Sequence, residues 1–136
     1  MSYLETKKPI VWTISSSDSG GGGGVQADLH TFHSFAAHGC SVITALTAQN
    51  AFAIGYITAT GRKNVVAQIN ALDSDLPAKA IKVGMLLTDE IIETVAKYLK
   101  GFEGCVVCAS VVTTAIGDSV WKEGAGDVIR TQLLPS

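Results

Sequence analysis

Five consecutive glycines, Gly20 to Gly24, lie inside "SDSGGGGGVQADLHTF", Ser17 to Phe32, and run straight into an amphipathic segment. A glycine loop that enters a helix leaves backbone N–H groups at the positive end of the helix dipole and lets a polar or anionic ligand approach closely. Two familiar versions of such a loop fail here. A Walker A loop closes on Gly-Lys-Ser/Thr, but Gly24 is followed by Val25 and Gln26. A dinucleotide fingerprint needs a glycine where Val25 stands and an acidic residue at the end of the second strand, and "TALTAQN" supplies none. A flexible turn without a ligand is the competing reading.

Other chemistry-bearing residues read as structural. Cys105 and Cys108 of "CVVC" are an odd number of positions apart, so on a strand they point to opposite faces. Two buried strand thiols are expected, not a chelate or a disulfide. His30 and His33 are one helical turn apart, but no third ligand accompanies them, so a solvated helix face is expected. "GAGD", Gly124 to Asp127, could in principle form an anion hole with a base. Its continuation "VIRTQLLP" instead reads as a surface helix with Asp127 near its N-terminus.

The elements that would position these groups follow from apolar runs. Ile10–Ile14, Cys40–Leu46, Ala80–Met85 and Cys105–Cys108 are short and unbroken, as in strands buried on both faces of a parallel sheet. Helical faces lie between them: Val25, Leu29, Phe32 and Ala36; then Val65, Ile69 and Leu72; then Ile92, Val95, Ala96 and Leu99. Thr88 is placed to cap the third helix, Lys97 and Lys100 suit its C-terminus, and Gly101 can end it. A last helix is expected over Ala125–Leu134, stopped by Pro135, and Phe52–Thr60 reads as an extra strand or hairpin arm. The alternation gives an α/β fold with a mostly parallel sheet. Ligands in such sheets bind beyond the C-terminal strand ends. The glycine run, "TAQN" (Thr47 to Asn50) and Gly84–Met85 should converge there.

Bulk properties bound the function. The chain has 136 residues, 47% hydrophobic and 16% charged, enough for one domain with a sizeable core. Its net charge of -2 and lack of a Lys/Arg run argue against nucleic acid. "MSYLETKKPIVW" is neither a secretory signal nor a membrane span, and three cysteines give no disulfide framework. A soluble cytoplasmic protein is expected.

Together, "SDSGGGGGVQADLHTF", "GCSVITALTAQN", "KVGML" and "IGD…LLP" resemble the N-terminal half of the hydroxymethylpyrimidine/phosphomethylpyrimidine kinases of thiamine biosynthesis, in the ribokinase-like superfamily. The resemblance covers most of the chain and implies a three-layer αβα fold. It implies transfer of the γ-phosphoryl of ATP, with Mg²⁺, to a pyrimidine alcohol and then to its monophosphate. It also implies site residues. Gln49 would bond the aminopyrimidine edge, where an amide matches adjacent donor and acceptor. Met85 would lie against the ring, as a soft thioether suits an aromatic face. Ser16, Gly23 and Val112 would line the rest. The competing readings are a loop-packing amide for Gln49 and a core filler for Met85.

The chain departs from that pattern at several points. Ser16 replaces a glycine, Ala109 and Ser110 stand where the family has Asp-Pro near the metal, and Ala115 and Ile116 replace a Lys and a Ser. The sequence given stops where the family continues towards its ATP-binding half. The expectation is therefore one partial ribokinase-like domain, residues 1–136, holding the substrate side, with no catalytic or metal residue of its own and with little or no activity alone. Apolar surface and a strand edge left without partners would favour a homo-oligomer. A non-catalytic relative that binds a pyrimidine or only itself, and a pyridoxal-type kinase, are the alternatives.

Overall fold

The computed structural model describes residues 8–109 and 125–134. In chain order its elements are β1 (Ile10–Asp18), α1 (Gly24–Ser34), β2 (His38–Gln49), β3 (Ile54–Ala59), α2 (Arg62–Asp75), β4 (Ala80–Val83), α3 (Asp89–Leu99), β5 (Cys105–Cys108) and α4 (Ala125–Val128), which continues as a π-helical turn, Ile129–Leu133. The described sheet runs β3-β2-β1-β4-β5, with only β3 antiparallel to its neighbour.

Alternation along β1 assigns the two faces. Trp12 points to the side of α2 and α3: its Nε1 donates to Leu76 O at 2.8 Å and its ring stacks on Tyr98, with centroids 5.9 Å apart. Ile14, Val42, Ile81 and Val83 join it in a core closed by Val65, Ile69, Ile91, Ile92, Val95 and Leu99. Thr13 points the other way, under α1, where its hydroxyl donates to Asp28 Oδ2 at 2.6 Å. Lys82 Nζ meets the same carboxylate oxygen at 2.8 Å, so one ion pair ties α1 to β4 across β1. Thr13 is fully buried, and its hydroxyl and Lys82 together satisfy a mostly covered carboxylate that would otherwise be costly to desolvate.

Several expectations are met. Thr88 caps α3 by accepting from Ile91 N, and the segment 52–60 supplies β3 as a hairpin arm. Others are corrected. Ala36 does not extend the apolar face of the first helix. α1 ends at Ser34, and Ala36 lies beyond it, exposed and with φ of 56°, as the chain turns towards β2. Thr47–Gln49 is not loop: β3 pairs with these residues and lengthens β2 to Gln49. Cys105 and Cys108 are not buried but exposed, because β5 lies at the edge of the described sheet, paired with β4 alone among the described residues. Cys40 is the buried thiol, and burial raises its pKa. Asp127 does lie in the first turn of α4, ion-paired with Arg130. His30 and His33 are both exposed on α1.

Candidate functional site

β1 and β2 end side by side, with Ser17 opposite Leu46 and Asp18 opposite Thr47, and the glycine run leaves from that rim. Its free N–H groups are not all free. Gly20 N and Gly23 N donate to Asp18 Oδ1 and Oδ2, both at 2.8 Å, and Gly21 N donates to Asp18 O at 3.0 Å. Asp18 is 5% exposed, so a buried carboxylate inside the loop replaces the anion that the sequence alone suggested. The expectation of a bare anion-accepting mouth is corrected in that respect. Gln26, in the first turn of α1, completes the loop: its Nε2 donates to Ser17 Oγ at 2.7 Å and its Oε1 accepts from Asp18 N at 2.9 Å.

Gly24 shows why this loop needs glycine. Its φ is 57°, and a Cβ there would run into Ser16 O and stand 3.0 Å from Asp18 N. Gly23, singled out from the sequence, is the N-cap of α1 in extended conformation. Ser16 is buried, at 7% exposure, where the register between β1 and β2 shifts.

Gln49 sits at the same rim. Ser19 Oγ donates to Gln49 O and accepts from Gln49 N, both at 2.7 Å, so one hydroxyl fastens the glycine loop to the end of β2. The Gln49 side chain is less tied. Its Oε1 has a long 3.4 Å contact with Thr47 Oγ1, which donates more closely to Ser17 O at 2.9 Å. Among the described residues no acceptor meets its Nε2. A half-buried amide with spare donor and acceptor capacity fits a ligand edge that shows both.

Met85 follows β4. Its N–H donates to Ser15 Oγ at 3.2 Å and its carbonyl accepts from Thr44 Oγ1 at 2.6 Å. Val112 lies outside the described residues, as do Ser110, Ala115 and Ile116. Ala109 is described: its N–H donates to Val83 O at 2.9 Å, and its side chain offers no ligand atom. Among the described residues no cluster of three or more His, Cys, Asp or Glu could hold a metal ion. The structure thus brings the glycine loop and Gln49 into direct contact and pins Met85 to the two strands that carry them. Asp18, Ser19, Gln26, Ser15 and Thr44 were missed by sequence reasoning. The signal for Asp18 was present, since an Asp side chain at the start of a turn commonly accepts from the backbone N–H two residues on, here Gly20.

The family model for phosphomethylpyrimidine kinase matches residues 18–136. The chain belongs to the phosphomethylpyrimidine kinase family. It is 40% identical over 127 residues to the hydroxymethylpyrimidine/phosphomethylpyrimidine kinase of Streptomyces coelicolor, covering 93% of this chain and 47% of that protein. The chain thus spans about half the length of the curated relatives it matches. The crystal structure of a phosphomethylpyrimidine kinase from Clostridium difficile superposes with a TM-score of 0.88 at 36% identity, covering 94% of this chain and 56% of that one. The pyridoxal kinase from Staphylococcus aureus in complex with AMP-PCP gives 0.81 at 26% identity, covering 96% and 47%. The fold of this phosphomethylpyrimidine kinase family member is ribokinase-like, with helices on both faces of a mostly parallel sheet. No helix among the described residues is long and apolar enough to cross a membrane.

Proposed function

We propose that this chain forms the substrate-side part of a hydroxymethylpyrimidine/phosphomethylpyrimidine kinase, binding the aminopyrimidine alcohol at the rim shared by the glycine loop, Gln49 and Met85. The observation that carries the reading is the Gln49 amide. Its backbone is fixed by Ser19 while its side chain keeps unused hydrogen-bonding capacity beside a close-approach glycine loop. A flat aminopyrimidine presents donor and acceptor side by side, which one amide satisfies in a bidentate manner. Ser16, Gly23 and Val112 complete the proposed wall, and the residues form one partial domain of the larger fold.

Phosphoryl transfer depends mostly on positioning and charge stabilisation. Relatives named as kinases, and a neighbour bound to AMP-PCP, support ATP as the phosphoryl donor of the whole protein, with Mg²⁺ the usual companion. No step of that transfer is assigned to the described residues. Asp18 already fills the Gly20 and Gly23 donors, and Ala109 brings no carboxylate.

The reading is tested by titrating the chain with hydroxymethylpyrimidine, its monophosphate and pyridoxal by calorimetry or ligand-observed NMR. Preference for the two pyrimidines supports it. Equal or tighter binding of pyridoxal would move the chain to the pyridoxal-kinase reading, and no binding of any of the three would leave a non-catalytic, non-binding relative.

A further inference from the structure

Two of the buried hydroxyl residues in the strands of this sheet aim at one backbone unit. Thr44 on β2 is 0% exposed and Ser15 on β1 is 3% exposed. A buried hydroxyl without a partner is costly, and valine would fill the Thr44 volume without that cost. Both hydroxyls bond the Met85 backbone. Thr44 Oγ1 donates to its carbonyl at 2.6 Å, and Ser15 Oγ accepts from its N–H at 3.2 Å.

The topology makes the Thr44 bond informative. β1 lies between β2 and β4, so the segment leaving β4 must cross the end of β1 to reach Thr44. It crosses beside the point where the β1–β2 register shifts, between Ser15 and Ser17. Gly84 permits the crossing at close range. Its N–H donates to Ile14 O at 2.9 Å, and a Cβ there would collide with Ser15 Oγ and lie 3.0 Å from Lys82 Nζ. Leu86, fully buried, anchors the other side. Met85 is therefore held at both its N–H and its carbonyl, between two fixed neighbours. The strand that supplies one of the two holds, β2, also carries Gln49.

We propose that Thr44 and Ser15 are positioning residues, a pair of buried hydroxyls that clamp the Met85 backbone so that its thioether stands as a fixed wall for a flat heteroaromatic ligand. The proposal rests on the reading of Met85 as part of the pyrimidine site. Fixing the Met85 backbone sets where its thioether can reach, so less of the segment must be ordered when a flat ring binds.

The chain has two methionines, Met1 and Met85, so methyl-¹³C methionine labelling gives a direct reporter, assigned by the loss of one signal in Met85→Leu. Hydroxymethylpyrimidine is titrated into the full chain and into Thr44→Val, Thr44→Ser and Ser15→Ala, with melting temperatures recorded alongside. Thr44→Val should shift the Met85 methyl signal in the ligand-free protein and weaken binding about tenfold, while Thr44→Ser should restore both to within about twofold of the starting chain. Ser15→Ala should move the same signal and weaken binding less, and it decides the matter if Thr44→Val does not fold. A merely structural role would lower the melting temperature of these variants yet leave the Met85 signal and the affinity of the folded protein unchanged, and that result overturns the clamp. If the unsubstituted chain binds the pyrimidine without any response at Met85, the wall and the clamp both fall while the pyrimidine reading stands. If it binds no pyrimidine, the proposed function falls with them.

Discussion

Gly24 and Gly21 offer a controlled comparison within one loop. Both have positive φ, 57° and 76°, so alanine at either costs about 1–2 kcal/mol for the left-handed conformation. Only Gly24 adds a steric term. A Cβ at Gly21 meets nothing within 4 Å, whereas at Gly24 it runs into Ser16 O, with Asp18 N at 3.0 Å. Those obstacles are backbone atoms of β1, which cannot rotate away, so relief needs a shift of the strand end or of α1. Such overpacking costs about 1–3 kcal/mol more. Gly24→Ala should thus lose about 3 kcal/mol and on the order of 10 °C of melting temperature, and Gly21→Ala about 1 kcal/mol and a few degrees. Thermal and urea unfolding followed by circular dichroism measure both. Equal losses in the two variants would refute the steric argument and with it the claim that Ser16, Asp18 and α1 are in close register.

Asp18→Ala should cost about 3 kcal/mol, since two charge-assisted bonds to Gly20 N and Gly23 N are lost from a 5%-exposed site; an unchanged denaturant midpoint would show that water or the loop itself substitutes for the carboxylate. Tyr98 has its pKa raised by burial, then by its hydrogen bond to Asp73 at 2.9 Å, so the fold favours the neutral phenol. That stability is fully present below the ordinary value of 10.0 and is lost as pH rises above it. Tyr98→Phe should therefore flatten the fall in melting temperature between about pH 9 and pH 12, and an equally steep fall in both proteins would assign the alkaline loss elsewhere. Phe52, just before β3, and Tyr56, within it, are 88% and 65% exposed at an edge of the described sheet, and residues 51–60 carry no charge, so self-association is expected. Sedimentation should show concentration-dependent mass that Tyr56→Lys reduces, and a monomer over a wide range would remove this surface from consideration.

The regular part of the fold was legible because its signals are local. Short apolar runs marked the parallel strands, and helical spacing marked Val65, Ile69, Val95 and Leu99 as core-facing. The Thr88 cap needed only one side chain and one turn. What stayed hidden depends on sequence-distant partners. β2 extends to Gln49 only because β3 returns beside it, and nothing within "TAQN" specifies that pairing. Cys105 and Cys108 look like buried strand residues, and their exposure follows from the edge place of β5 in the strand order. The glycines alone point to an external ligand, whereas the acceptor that meets them is the carboxylate of Asp18, two residues before Gly20. Ser15, Thr44, Lys82 and Asp28 meet their partners across strands, at separations that no local pattern encodes.

Gln49→Ala is the most direct test that this rim binds an aminopyrimidine. The substitution leaves the Ser19 bonds to the Gln49 backbone in place and removes only the amide. Calorimetric titration with hydroxymethylpyrimidine should show binding weakened about tenfold or more, as losing hydrogen bonds at a partly buried amide costs about 1–3 kcal/mol, with the melting temperature of the free chain nearly unchanged. Affinity equal to that of the unsubstituted chain would contradict the assignment and place the pyrimidine, if it binds, at another surface.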